Sequence, residues 1–158
     1  MKNRLLRTAL SLTAALLLIL TVLPRQAHAA GASLTGSDSV QAGNSVTLTL
    51  SVSSKIYGLT ADLNCGSNLT FTNYTCSVSG WSILVNQNHF SVYGTSSASG
   101  AVITVTLKAA SGVSADTALS ASFDNIVASD GEKDIDMGSA SWSGKAATLS
   151  DNCSLSAI

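Results

Sequence analysis

The sequence predicts an all-β protein built as a two-layer sandwich, and three observations predict it. After residue 30, segment after segment alternates apolar and polar residues with a period of two, the pattern of strands lying between a core and water. Turn signals rich in glycine, asparagine and serine separate these segments at short intervals. No run of ten or more residues in this region combines helical periodicity with caps.

The first candidate strand is SLTGSDS (33–39). Gly43-Asn44 precedes SVTLTLSVS (45–53), in which Val46, Leu48, Leu50 and Val52 share one face. YGLTADLNC (57–65) puts Leu59, Ala61, Leu63 and Cys65 on one side and Thr60, Asp62 and Asn64 on the other. Gly66-Ser67-Asn68 turns the chain into LTFTNYTCS (69–77), and WSILVNQ (81–87) and HFSVYGT (89–95) follow, with Phe90 and Val92 inward. A serine-rich stretch from Gly94 to Gly100 leads to AVITVTLKA (101–109), whose Ile103, Val105 and Leu107 alternate. Beyond Gly112, TALSASFDNIVAS (117–129) contributes Leu119, Ala121 and Phe123; Asp130-Gly131 then turns the chain toward a ninth segment near MGSASWS (137–143). Two inner faces that interdigitate bury all these apolar positions.

The ends of the chain read differently. Lys2, Arg4 and Arg7, the apolar run TALSLTAALLLILTVL, and Ala27-His28-Ala29 compose a secretory signal peptide over residues 1–29, with cleavage expected after Ala29. Pro24 and Arg25 close the apolar run at 16 residues, short of the roughly 20 that a membrane-spanning helix needs. The expectation is a secreted or surface-displayed protein with one domain over residues 30–144. Residues 145–158 then read as a linker and the start of a truncated following module. The exported chain keeps Lys55, Lys108, Lys133 and Lys145 and no arginine against nine carboxylates. A chain without a basic patch has no means of displacing counterions from a polyanion, so nucleic acid is excluded as a partner.

Chemistry is sparsely provided for. The exported chain has one histidine, His89, and one glutamate, Glu132. No Gly-x-Ser-x-Gly elbow is present, and no base stands beside a nucleophile in any recognisable pattern. Asp38, Asp116, Asp130 and Asp151 occupy turns, where carboxylates commonly bond their own backbone. The sequence therefore points to no enzyme, no catalytic residue and no cofactor. DGEKDID (130–136) offers oxygens to a calcium ion but lacks the spacing of a calcium-hand loop, and one histidine with scattered cysteines makes no zinc site. Cys65 and Cys76 leave two alternatives open: a disulfide closing a short loop, worth ~2–3 kcal/mol, or small buried side chains. Cys153 is left over.

AGNSVTLTLSVSS, YGLTADLNC, NLTFTNYTCSVSGWSI, AVITVTLKA and FDNIVASDGEKDI, in this order and spacing, resemble a cohesin module. The pair Gly80-Trp81 and the turn Ala128-Ser129-Asp130-Gly131 are the most telling parts. The resemblance implies a nine-stranded jelly-roll sandwich that docks dockerin-bearing proteins in an extracellular polysaccharide-degrading or surface assembly, any calcium belonging to the dockerin. It also implies a binding panel, carried onto the outward residues of the matching segments: Thr60, Asp62, Asn64, Leu84, Asn86, Ser91, Tyr93, Thr104 and Thr106. Within it Leu84 and Tyr93 form an apolar and an aromatic anchor among small polar groups, the composition of a protein hot spot. The fold is kin to cellulose-binding sandwiches, so the alternative is a carbohydrate-binding module stacking sugar faces on Tyr57, Tyr93 and Trp142, with Trp81 assigned to the core.

Overall fold

The computed structural model describes residues 31–147. The leader expected over 1–29, and the tail with Asp151 and Cys153, lie outside the described residues. Eight strands follow in order: β1 (Ala32–Thr35), β2 (Ser39–Gln41), β3 (Ser45–Cys65), β4 (Leu69–Cys76), β5 (Ser82–Asn86), β6 (His89–Ala109), β7 (Ala118–Ser129) and β8 (Asp134–Ala147). No helix occurs among the described residues, and so none long and apolar enough to cross a membrane.

β3 and β6 organise the body. Each is 21 residues long, and the two are antiparallel partners along most of that length, with register shifts between Leu50 and Gly58. Bulges of this kind bend a strand and sharpen its twist. Here they fold the ladder over itself, so that one pair of strands serves both layers. Residues 45–52 of β3 and 100–108 of β6 join β1 and β4 in one layer. Residues 58–65 of β3 and 89–93 of β6 join β5, β7, β8 and β2 in the other.

Aromatic rings bridge the layers. Phe71 and Tyr74 of β4 meet Phe90 edge-on at 5.6 and 5.9 Å, and Phe90 meets Phe123 at 5.3 Å. The apolar positions assigned by alternation are buried, from Val46, Leu48 and Leu50 to Ile103, Val105 and Leu107. Among the described residues no polar or charged side chain is buried with them. Burial of apolar area at about 25 cal/mol per Å² is therefore what holds this core.

Four segment boundaries differ from the sequence expectation. The segment 33–39 divides at Gly36 into β1, antiparallel to β3, and β2, parallel to β8; a Cβ at Gly36 would overlap the Leu48 side chain. The breaks expected near Lys55 and between Gly94 and Gly100 are corners inside continuous strands, not turns. The last strand runs through Ala147, three residues past the limit expected at 144, because Val40 and Ala146 pair there and are both buried.

Trp81 lies in the core, as expected, and its Nε1–H donates to the Ser96 carbonyl at 2.9 Å. Its ring rests against Gly94, where any Cβ would overlap the indole. Gly94→Val should consequently cost about 1–3 kcal/mol, the usual penalty for overpacking, read as a lowered urea midpoint at unchanged m-value. Gly112→Ala, whose new methyl meets nothing, should leave the midpoint near wild type. Equal midpoints for the two variants would show that Trp81 does not depend on Gly94.

Candidate functional site

The outer face of the second layer is built from β5, the first half of β6, the second half of β3, and β7 and β8. Residues directly opposite in an antiparallel ladder share a face, so the register lays out rows across the sheet. One row runs Ser82, Tyr93, Gly58, Ser129, Asp134; the next runs Leu84, Ser91, Thr60, Val127, Asp136. A third runs Asn86, His89, Asp62, Asp124. Three apolar side chains stand out into solvent from the first two: Leu84 at 61% exposure, Tyr93 at 51% and Val127 at 36%.

Behind them is a polar network. His89 Nδ1–H donates to Asp62 Oδ1 at 2.7 Å, and Asn125 Nδ2 donates to Asp62 Oδ2 at 2.9 Å. Asn64 Nδ2 donates to Asp124 Oδ2, and Ser122 Oγ donates to the same oxygen at 3.2 Å. The bonds from Asn125 and then His89 hold the Asp62 carboxyl below the usual carboxylate range, against a smaller upward push from partial burial. Beyond the network, a groove of about 440 Å³ crosses the ends of β3, β7 and β8. Small side chains leave that hollow: Ser120, Ser122, Ser141 and Ser143 line it beside Asn64 and Gly66.

No protein-family model matches the chain, and none of the curated proteins compared matches its sequence. Solved structures do match. A cohesin module from a family 33 glycoside hydrolase of Clostridium perfringens superposes with a TM-score of 0.65 at 11% identity, over 76% of this chain and 98% of that one. A non-cellulosomal cohesin from the archaeon Archaeoglobus fulgidus superposes at 0.57 with 9% identity, over 78% and 96%. The fold is cohesin-like.

On this cohesin-like sandwich, seven of the nine residues expected on the binding panel come together: Thr60, Asp62, Asn64, Leu84, Asn86, Ser91 and Tyr93. Thr104 and Thr106 do not. They lie in the second half of β6, paired with Thr49 and Thr47 of β3 and with Thr75 and Asn73 of β4, in the opposite layer. Their alternation with Val105 is that of a panel residue, but the β6 corner carries them away from the panel.

The sugar-stacking alternative loses a ring. Trp142 is buried at 5% exposure, so it offers no surface for a sugar. It alternates with serines because β8 turns it inward opposite Ala121. Tyr57 is exposed but its ring edge lies over Gly131 in the β7–β8 turn, apart from Tyr93's row. No line of rings forms. The disulfide alternative also falls away, since Cys65 and Cys76 are free thiols. Cys65 ends β3 just before the turn into β4, and Cys76 ends β4; the eight residues of β4 span roughly 25 Å at ~3.3 Å each, against the under-7 Å Cα separation a bridge requires. Burial pushes the Cys65 thiol up, which keeps it protonated and unreactive.

Three participants escaped the alternation rule. Val127 turns outward because a bulge sits in β7: Asp124 and Asn125 both leave the core between inward Phe123 and Ile126. Asn125 takes φ 50°, a left-handed conformation that asparagine tolerates. The signal was legible as two consecutive polar residues, Asp-Asn, between apolar ones. His89 and Asn125 joined the site through partners distant in sequence, on β3.

Asp130 does what a turn carboxylate is expected to do, accepting the Glu132 and Lys133 backbone N–H groups at 2.9 Å each. Those bonds hold its carboxyl below the usual range. Among the described residues no three His, Cys, Asp or Glu side chains converge as a metal site requires. Asp62 and Asp130 are both more acidic in the folded chain than in the unfolded one. Their stabilisation is therefore complete above the ordinary carboxylate range near pH ~4 and disappears as pH falls through their lowered native values. Asp130→Asn, which keeps an acceptor oxygen but no titration, should flatten the acid limb of Tm against pH. An unchanged limb would show that Asp130 contributes nothing to it.

Proposed function

We propose that the protein is a secreted, non-catalytic docking module whose recognition face is the outer surface of β5, β6, β3 and β7, and that its partner is a dockerin-bearing protein. One observation carries this reading: Leu84, Tyr93 and Val127 stand exposed in adjacent rows of a sheet face whose other members are small and polar. Aromatic and aliphatic anchors inside a polar surround form the usual centre of a protein interface. The cohesin-like fold adds support, because the face corresponds to the panel expected from the family resemblance. A protein partner suits the site better than a polysaccharide, since Tyr93 stands as a single ring without a second in line. The expected recruitment is to an extracellular polysaccharide-degrading or surface assembly.

The test is retention on the immobilised chain of a panel of calcium-loaded dockerins encoded in the same genome, with insoluble polysaccharide run beside it. Retention of at least one dockerin supports the proposal. Retention of polysaccharide with no dockerin captured would reverse it in favour of a carbohydrate-binding module.

A further inference from the structure

Charge is distributed one-sidedly over the recognition face. The two rows that hold the apolar anchors end on Asp134 and Asp136, both exposed, and the row behind them carries Asp62 and Asp124. Among the described residues, no lysine or arginine stands in these rows. Lys55 is in the β3 corner and Lys108 belongs to the other layer. Lys145 is nine positions along β8 from Asp136, about 30 Å in extended backbone. Lys133 is in the β7–β8 turn. Among the described residues no lysine lies within salt-bridge distance of a carboxylate, and the one histidine–carboxylate contact is His89 with Asp62, so neither Asp134 nor Asp136 has a cation of this chain against it.

Building on the docking reading, we infer that the occupant of this face is a cationic amphipathic segment. Its apolar side chains cover Leu84, Tyr93 and Val127, and its lysine or arginine groups meet Asp134 and Asp136. Apolar anchors alone would accept any apolar partner of suitable shape. The carboxylates supply the discrimination, since complementary potential steers encounter and like charge suppresses wrong partners. For the same reason the face repels a second copy of itself, which disfavours a symmetric dimer through it. Asp62 and Asp124 are already engaged by His89, Asn125, Asn64 and Ser122, so they add field; at the rim Asp134 makes the contact together with Asp136, whose Oδ1 accepts the Gly138 N–H at 2.8 Å and whose second oxygen faces the partner.

Two synthetic amphipathic helical peptides serve as probes, sharing one leucine-rich stripe, with lysines flanking it in one and glutamates in the other. Binding to the purified chain is read by fluorescence anisotropy at low and high salt. The lysine peptide should bind about ten-fold tighter at low salt, and the gap should close at high salt, where exposed charges are screened within a few ångströms. Asp134→Asn with Asp136→Asn should narrow the gap, while Leu84→Ala with Tyr93→Ala should weaken both peptides. Equal binding, preference for the glutamate peptide, or binding of neither overturns the inference. A dockerin captured with no sensitivity to salt or to the two asparagines sinks the inference and leaves the docking reading standing. Retention of the lysine peptide with failure of every dockerin does the opposite.

Discussion

The double variant Leu84→Ala/Tyr93→Ala is expected to fold like the wild type and to lose partner capture. Both side chains point away from the core, exposed at 61% and 51%, so their truncation should change stability by only about 0.5 kcal/mol or less. In an interface each would be desolvated. Truncating a central anchor typically costs about 2 kcal/mol or more, or roughly 30-fold in affinity at 1.4 kcal/mol per ten-fold. If the two act independently, the pair should reduce affinity about a thousand-fold, enough to abolish retention on a column. Val127→Ala, at a residue only 36% exposed, should cost less than either. Thr106→Ala supplies the control, because that residue faces out from the other layer. It should leave capture intact. Retention by the double variant at wild-type affinity, with an unchanged thermal transition, would place the partner elsewhere on the molecule.

Phe90→Ala is expected to be the most damaging single change to stability. Phe90 is fully buried and stands edge-on to Phe71, Tyr74 and Phe123, rings drawn from both layers. Removing it deletes apolar contact with each and leaves a cavity where two sheets meet, which for phenylalanine costs about 3–5 kcal/mol. Domains of this size are stable by only about 5–15 kcal/mol, so the variant should approach the edge of folding at room temperature. Phe90→Leu, which keeps most of the volume, should lose less. Urea denaturation at matched m-value reads both. A loss under about 1 kcal/mol for Phe90→Ala would contradict a ring that ties the layers together. The residue also links core to function: its neighbours in β6, His89 and Ser91, face outward into the recognition rows, so softening the core beneath them should broaden the panel as well.

Much of this was legible in the residues themselves. Alternation identified the core because a strand exposes every second side chain to the same side, whatever its partner. It placed Leu84 and Tyr93 outward, out of phase with Ile83, Val85 and Val92, and the structure agrees. Glycine-rich turns marked where most segments end. Alternation failed wherever the backbone departed from ideal pleat. At Asp124-Asn125 an extra residue reversed the phase and delivered Val127 to the surface. Trp142, a large ring between serines, is expected among the sugar-stacking rings, but β8 turns it inward against β7.

The sequence by itself determined the class of structure, the inward residues of each strand and the poverty of catalytic groups, because these depend on residue type and local period. Tertiary structure alone decided which outward residues share a surface. Thr104 and Tyr93 belong to the same strand, yet the corner in β6 sends them to opposite layers, while Asp62 and His89, 27 positions apart, are hydrogen-bonded. Pairing register and strand bending are set by contacts between segments remote in the chain, and no local pattern encodes them.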